Sequence, residues 1–148
     1  KAAKSRGATT VFIACVPSEQ VSVETDVDIR LITGPEILAG STRLKAGTAT
    51  KLALNILSTG VMVKLGKVYG NRMVDVAVTN RKLQDRALRI LQDLTSLGRE
   101  AASALLENSG KWVKLAILMH ETGLDKEQGN KLLTQHNGNL RTAIEAKK

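Results

Sequence analysis

Cysteine, proline and aromatic residues are all scarce in this sequence. Its 148 residues contain one cysteine and two prolines, and aromatic side chains account for 2%. The single cysteine, Cys15, excludes an internal disulfide and argues against a cysteine-based metal site, which fits a reducing compartment. With so few aromatic side chains, the core has to be built from leucine, isoleucine, valine and alanine.

Long apolar runs and leader segments are also missing. No run reaches the roughly 18 residues that a membrane-spanning helix requires, and the first residues lack the pattern of a signal peptide. Residues 1–7 instead have the pattern of a helix that ends at Gly7. Because a chain seldom begins by finishing a helix, we expect an N-terminal portion to precede this one.

Acidic residues are outnumbered, and the formal net charge is +8. An excess of positive charge favours an acidic partner, such as nucleic acid, anionic lipid or a phosphorylated small molecule. The basic residues are scattered and form no long run, which is typical of a solvated surface. The hydrophobic content of 43% and the charged content of 24% are those of an ordinary globular protein.

Two short apolar segments predict the end of an α/β unit. Residues 11–16 form a continuous apolar run that stops at Pro17, as in a strand buried on both faces of a parallel sheet. Residues 28–33 are a second strand candidate, after a polar connection. A helix end, a strand, a connection, a second strand and a long helix together indicate an α/β fold.

A long helix is predicted over residues 42–64, beginning near Ser41 or Thr42. Between Leu52 and Val63 it is apolar nearly all round, so we expect burial in a core or a subunit interface. Glycine destabilises a helix interior. Gly47 and Gly60 therefore predict a close approach of another chain segment.

The remainder of the chain is predicted to be helical after an irregular connection over residues 66–79, which contains a turn at Tyr69-Gly70-Asn71. Asn80 is a candidate cap for a helix that ends at Gly98. A repeat with a period of 27 positions follows, aligning Leu105-Leu106 with Leu132-Leu133, Val113-Lys114 with Leu140-Arg141, and Ala116-Ile117 with Ala143-Ile144. It predicts a duplicated helix–turn–helix unit in which Asp125 caps the second copy.

These patterns divide the chain into two predicted regions. Residues 1–97 hold the α/β part with its long helices, and residues 98–148 form a small helical cap. A cap of about 50 residues is too small for a strong core of its own, so we expect it to pack on the rest.

The predicted start of the long helix carries cations where acids are usual. Ser41 and Thr42 are suitable caps, and Arg43 and Lys45 follow them with no acid in the first turn. Free backbone amides, hydroxyls and cations together favour a bound anion such as phosphate. This interpretation requires amides and cations that face a cavity and are not already occupied by a carboxylate of the chain.

Three other residues are candidates near such a site. Glu36 precedes the helix and is either an acid/base group or, more commonly for a loop glutamate, a structural hydrogen-bond acceptor. Lys114 and Arg141 occupy equivalent places in the repeat. They either reach over the anion site or are solvated helix residues, which is the commoner role.

Other chemistries have weaker support in the sequence. No nucleotide-binding glycine motif is present, and His120 and His136 lack partners at the spacing of metal ligands. Ser41 has no histidine or aspartate nearby in sequence to activate it as a nucleophile. Nucleic acid binding is a weaker alternative, because the second helix of each repeat carries few residues that read bases.

The sequence resembles the N-acetylmuramic acid 6-phosphate etherases of bacteria, a family related to the glucokinase regulatory protein. Order and spacing agree over nearly the whole chain. The segments that carry the resemblance are residues 33–51, residues 65–76, Thr79-Asn80 with Lys82-Leu83, and residues 113–117.

The resemblance implies the C-terminal part of a doubly wound parallel-sheet sugar isomerase (SIS) domain followed by a small all-helical cap. It implies a lyase that cleaves the D-lactyl ether of its phosphorylated amino sugar by elimination and hydration. It also implies a cytoplasmic homodimer with no metal or cofactor. The family's catalytic glutamates lie in the N-terminal half, so this chain alone is expected to release no D-lactate.

On this resemblance, Ser41, Thr42, Arg43 and Lys45 are expected to border or support the sugar-phosphate site, with Glu36 and Lys114 as weaker candidates. No residue of this chain is expected to be catalytic. The alternative is a non-enzymatic sugar-phosphate-binding regulator of the glucokinase-regulatory-protein type.

Overall fold

A computed structural model describes residues 2–147 as a mixed α/β fold, which confirms the predicted class. The strands are β1 (Val11–Ala14), β2 (Val27–Arg30), β3 (Val68–Tyr69) and β4 (Arg72–Met73). The helices are α1 (Lys45–Lys64), α2 (Arg81–Thr95), α3 (Arg99–Asn108), α4 (Val113–Thr122), α5 (Lys126–Gln135) and α6 (Leu140–Glu145). One compact unit ends at Thr59 and a second begins at Gly60. The domain boundary predicted between residues 97 and 98 stays a prediction.

The first unit contains a pair of parallel strands. β1 and β2 pair in a register that places Val11 opposite Val27 and Ala14 opposite Arg30. Both strands were predicted, and each ends two or three residues earlier than the apolar pattern indicates. The burial on both faces that was expected of the first strand is wrong for the described chain, since Val11 is exposed and the rest of β1 is half-buried. In β2, Val27 and Asp28 are exposed. Within residues 2–147 no third strand joins this sheet, which leaves its edges and faces partly open.

The chain before β1 makes a short 3-10 turn, Lys4–Arg6, and ends it at Gly7 in a left-handed conformation. This agrees with the predicted helix end at Gly7. Lys1 lies outside the described residues.

Helix α1 begins at Lys45, three or four residues later than predicted. Residues 42–44 form turns, in which the Leu44 amide donates to the Ser41 carbonyl at 3.2 Å. The helix contains no buried residue, and 72% of Ile56 is exposed. The burial expected of this helix is therefore not found within residues 2–147.

The two glycines of α1 do not mark close contacts with a separate segment of the described chain. A Cβ at Gly60 would meet nothing within 4 Å, so that prediction is wrong for the residues described. A Cβ at Gly47 would lie 3.3 Å from the Thr42 carbonyl oxygen. The close neighbour of Gly47 is thus the turn that leads into its own helix.

The second unit begins with the last turn of α1 and a short hairpin. β3 and β4 pair antiparallel around a turn at Gly70-Asn71, which confirms the turn predicted in this connection. The Asn80 side-chain oxygen accepts a hydrogen bond from the Leu83 amide at 2.9 Å, as expected for the cap of α2. α2 ends at Thr95 rather than at Gly98, because Ser96 adopts the left-handed conformation that stops it.

The duplicated helix–turn–helix unit is present. α3 with α4, and α5 with α6, are its two copies, and the Asp125 carboxylate caps α5 by accepting from the Gln128 amide at 2.8 Å. Both connecting turns use two successive residues with positive φ. These are Gly110 (74°) with Lys111 (64°) in the first copy and Asn137 (52°) with Gly138 (72°) in the second.

The hydrophobic core of the described chain lies in the second unit. Its fully buried members come from the end of the hairpin and from α2 to α6, and they include Leu91, Leu106, Leu115, Ile117, Leu118, Leu133 and Leu140. Helix α4 is central and contacts α2, α3, α5 and α6. The helical repeat thus shares one core with α2, as expected for a cap too small to build its own.

None of the helices in residues 2–147 combines the length and apolarity needed to cross a bilayer.

Candidate functional site

The side chain of Glu36, in the loop before α1, caps the start of this helix. Its carboxylate accepts hydrogen bonds from the Lys45 amide at 2.9 Å and from the Ala46 amide at 3.0 Å. The hydrogen bonds from Ala46 and Lys45, with the charge of Lys45, outweigh desolvation and hold the pKa of Glu36 below its ordinary value of 4.5. Of its two predicted roles, the structural acceptor is therefore the one that the structure shows.

The anion predicted at this helix start is thus partly supplied by the chain itself. Backbone amides at a helix N-terminus favour a negative charge, and Glu36 provides one from nine residues away in sequence. The condition set for a bound phosphate is not met at the Lys45 and Ala46 amides, because both are occupied. The predicted binding of phosphate by these two amides is therefore wrong, and the predicted ligand contacts of the neighbouring side chains stay predictions.

Ser41 and Thr42 do not cap the helix as predicted. Their backbone carbonyls accept from the Leu44 amide at 3.2 Å and the Gly47 amide at 2.8 Å. Their hydroxyls bond no other group within residues 2–147. The capping prediction is wrong because Glu36 takes that role, and both hydroxyls remain candidates for ligand binding.

The two predicted cations differ in their contacts. The Lys45 ammonium donates to the Pro35 carbonyl at 2.8 Å, which ties the side chain back onto the loop before the helix. Arg43 is exposed and forms no hydrogen bond or ion pair with the described part of the chain. The structure therefore brings Glu36 of the loop into contact with Lys45 at the start of α1 and leaves the Arg43 guanidinium in solvent. The predicted contacts of these residues with a ligand stay predictions.

Lys114 is buried in the second unit. Its side chain is 4% exposed, and its ammonium lies 2.8 Å from an Asp75 carboxylate oxygen. It also donates to the Gly138 carbonyl at 2.9 Å. The interpretation of Lys114 as a solvated helix residue is wrong, because the protein surrounds its charge and supplies a counter-ion.

Asp75 is the residue that the sequence did not single out. Its second carboxylate oxygen accepts from the Lys67 ammonium at 3.0 Å. Desolvation raises the pKa of Asp75, but the hydrogen bonds and charges of Lys114 and Lys67 outweigh it and hold the pKa below 3.8. Asp75 and Lys114 lie far apart in sequence, and no local pattern connects them.

The other candidates are placed as follows. Arg141, the repeat equivalent of Lys114, stacks over the Tyr69 ring with its guanidinium carbon 5.6 Å from the ring centre. His120 is exposed and His136 is half-buried. Cys15 is a free, half-buried thiol whose sulfur lies 3.5 Å from the Ala46 carbonyl oxygen.

Acid should weaken the start of α1. Because the pKa of Glu36 is lowered on folding, its contribution is complete above pH 4.5 and is lost as the pH falls through the folded pKa. Amide NMR shifts of Lys45 and Ala46 should therefore move together below pH 4.5. Glu36→Gln should abolish this titration, whereas Glu19→Gln, in the connection between β1 and β2, should leave it unchanged. Amide shifts that do not change with pH would contradict the cap.

One match to a known protein family lies within the second unit. A family model for the C-terminal lid domain of glucokinase regulatory protein matches residues 70–114. The match runs from the β3–β4 turn, through α2 and α3, to the start of α4. It therefore covers both Asp75 and Lys114.

Relatives at high identity then cover nearly the whole chain. It is 77% identical over 143 residues to an N-acetylmuramic acid 6-phosphate etherase of Nostoc punctiforme, a match that covers 97% of this chain and 46% of the relative. Relatives of the same name come from Trichormus variabilis, 78% identical over 142 residues (96% and 46%), and Rippkaea orientalis, 70% identical over 148 residues (100% and 48%). The predicted resemblance to this family is confirmed, and the chain spans about half the length of the relatives it matches.

Proposed function

We propose that this chain is the C-terminal portion of an N-acetylmuramic acid 6-phosphate etherase. The complete protein cleaves the D-lactyl ether of N-acetylmuramic acid 6-phosphate and yields N-acetylglucosamine 6-phosphate and D-lactate by elimination and hydration. Identity of 70–78% along nearly the whole chain is the observation that carries the proposal. The match to a C-terminal lid domain supports the assignment of this part of the protein.

In this proposal, β1, β2 and α1 belong to a SIS domain that is built on a doubly wound parallel sheet. The parallel pairing of β1 and β2 supports it, since parallel strands occur almost only in sheets that helices cover on both faces. The exposed valines of β1 and β2 and the bare α1 helix are then surfaces that the rest of the domain or a second subunit covers. This agrees with the homodimer that the resemblance implies, in a cytoplasmic enzyme of cell-wall recycling.

The sugar phosphate contacts Arg43 and the hydroxyls of Ser41 and Thr42, with Lys45 beside them. Arginine presents a planar set of donors suited to a phosphate. The Lys45 ammonium uses one donor on the Pro35 carbonyl and retains two more. Glu36 supports the site indirectly by fixing the start of α1, and the predicted role of Lys114 in binding stays a prediction. The acid and base glutamates come from the N-terminal half, and no metal or cofactor takes part.

The test uses the complete polypeptide. Arg43→Ala and Lys45→Ala should each raise the KM for N-acetylmuramic acid 6-phosphate about tenfold or more, since a hydrogen bond to a charged group contributes roughly 1.5–3 kcal/mol. D-lactate release measures the reaction. Lys51→Ala, which removes an exposed cation from the same helix, is the matched control and should leave KM unchanged. If neither variant changes the KM, Arg43 and Lys45 do not contact the substrate.

A second candidate is a sugar-phosphate-binding regulator without catalysis. The lid-domain match favours it, because the glucokinase regulatory protein gives that family its name. The complete protein distinguishes the two functions directly. An etherase releases D-lactate from the substrate, whereas a regulator binds the phosphosugar and leaves it intact.

A further inference from the structure

We propose that Asp75 is the positioning residue for the buried ammonium of Lys114, and that this pair ties the turn between α5 and α6 to the segment that follows β4. The ion pair itself can be tested without any ligand.

The contacts of Lys114 show why it needs a counter-ion. The ammonium has three donors, of which one points to Asp75 at 2.8 Å and one to the Gly138 carbonyl at 2.9 Å. With the side chain 4% exposed, water cannot replace a lost partner. A charge in such a place remains stable only while it is paired.

The turn that Lys114 holds is in close contact with the segment that carries Asp75. Gly66 is buried directly against it, because a Cβ on Gly66 would lie 2.9 Å from the Asn139 Cα and 3.2 Å from the Gly138 oxygen. Arg141, the second residue of the following helix α6, stacks on Tyr69 of the hairpin. The contact of Gly66, the stacking of Arg141 on Tyr69, and Lys114, which bonds both Asp75 and Gly138, thus all connect residues 66–75 with the α5–α6 turn and the start of α6.

The two lysines on Asp75 are not equivalent. The Lys67 side chain is 39% exposed, so solvent can stabilise its charge if Asp75 is neutralised. Lys114 has no such access. Loss of the Asp75 charge therefore leaves the Lys114 ammonium buried without a counter-ion, whereas loss of the Lys114 charge leaves Asp75 paired with Lys67.

This asymmetry predicts that one deleterious substitution rescues another. Asp75→Asn should lower the Tm of the 148-residue chain by more than about 10 °C, because it leaves a buried charge without its counter-ion. Lys114→Met should lower it less. The double variant should melt at least about 5 °C above Asp75→Asn alone, since it removes the stranded charge.

The experiment measures thermal unfolding of the four chains by circular dichroism at neutral pH. Asp93→Asn is the matched control, because Asp93 pairs with Arg72 of the same hairpin and both side chains are nearly half exposed; its Tm should change by no more than about 3 °C. If Asp75→Asn alone fails to fold, recovery of a folding transition in the double variant still supports the proposal. A double variant that melts below both single variants would overturn it.

A spectroscopic measurement distinguishes positioning from general stability. In lysine-labelled protein, the buried and bonded Lys114 ammonium should give a resolved proton–nitrogen NMR signal, protected from solvent exchange, that Lys114→Met removes. Asp75→Asn should abolish this protection at a temperature where the chain remains folded, and Asp93→Asn should preserve it. An ammonium signal that survives Asp75→Asn unchanged would overturn the assigned role of Asp75.

Discussion

Alanine in place of Gly66 should destabilise the second unit by about 3 kcal/mol, the sum of two effects. Gly66 has a φ of 66°, where a residue with a Cβ costs roughly 1–2 kcal/mol. The new Cβ would also lie 2.9 Å from the Asn139 Cα, a backbone atom that moves only with its turn. Such overpacking costs typically 1–3 kcal/mol. Urea unfolding followed by circular dichroism measures the change.

Gly70→Ala is the matched control for this prediction. Gly70 has a similar φ of 58°, but a Cβ there would meet nothing within 4 Å. Gly70→Ala should therefore lower the free energy of unfolding only through the conformational effect, by about 1 kcal/mol. Equal losses at the two positions would mean that the close approach of Gly66 to Asn139 contributes nothing.

Leu106→Ala should cost about 3–4 kcal/mol, because it opens a cavity in a close-packed core. Leu106 is fully buried in α3 and belongs to the cluster that joins α2 to α6. The surrounding side chains relax only partly into such a space, so the loss exceeds the transfer free energy of the removed atoms. Urea unfolding should show a lower midpoint with an unchanged slope.

Leu54→Ala makes the same chemical change on α1, where the leucine is 52% exposed. In this chain it should change the free energy of unfolding by no more than about 0.5 kcal/mol. A loss at Leu54 that approaches the loss at Leu106 would show that α1 is covered in solution.

Features that depend on neighbouring residues were predictable from the sequence. Asn80 and Asp125 cap the helices that they precede, because a cap bonds an amide only three residues away. The 27-residue period located the repeat, since each copy places the same aliphatic positions against a shared core. The two strands and the long helix were also found, with errors of a few residues at their ends.

Features that depend on contacts across the chain were not predictable. Helix α1 begins at Lys45 and not at the predicted Thr42, because Glu36 in the preceding loop accepts hydrogen bonds from the first amides of the helix. Asp75 and Lys114 lie on separate elements, and only folding brings their charges together. The burial expected of α1 was inferred from its apolar composition, which does not say which molecule or segment provides the cover.

The candidate site likewise contains residues that the sequence identified and a contact that it could not predict. Residue types near the helix start identified Arg43, Lys45 and Glu36 as a charged group, and two of these are in contact in the structure. What the pattern could not reveal is that the chain supplies its own carboxylate to two of the amides. A rule that counts cations at a helix start is incomplete unless it also searches the preceding loop for an acid.

The two turns of the repeat differ in an informative way. Gly110-Lys111 and Asn137-Gly138 are equivalent pairs, and all four residues are left-handed, yet the glycine stands first in one copy and second in the other. The two copies thus share the path of the main chain at this turn, although their residue types differ. A designer who extends this array with another copy needs two successive left-handed residues between the helices, and has freedom over which of them is glycine.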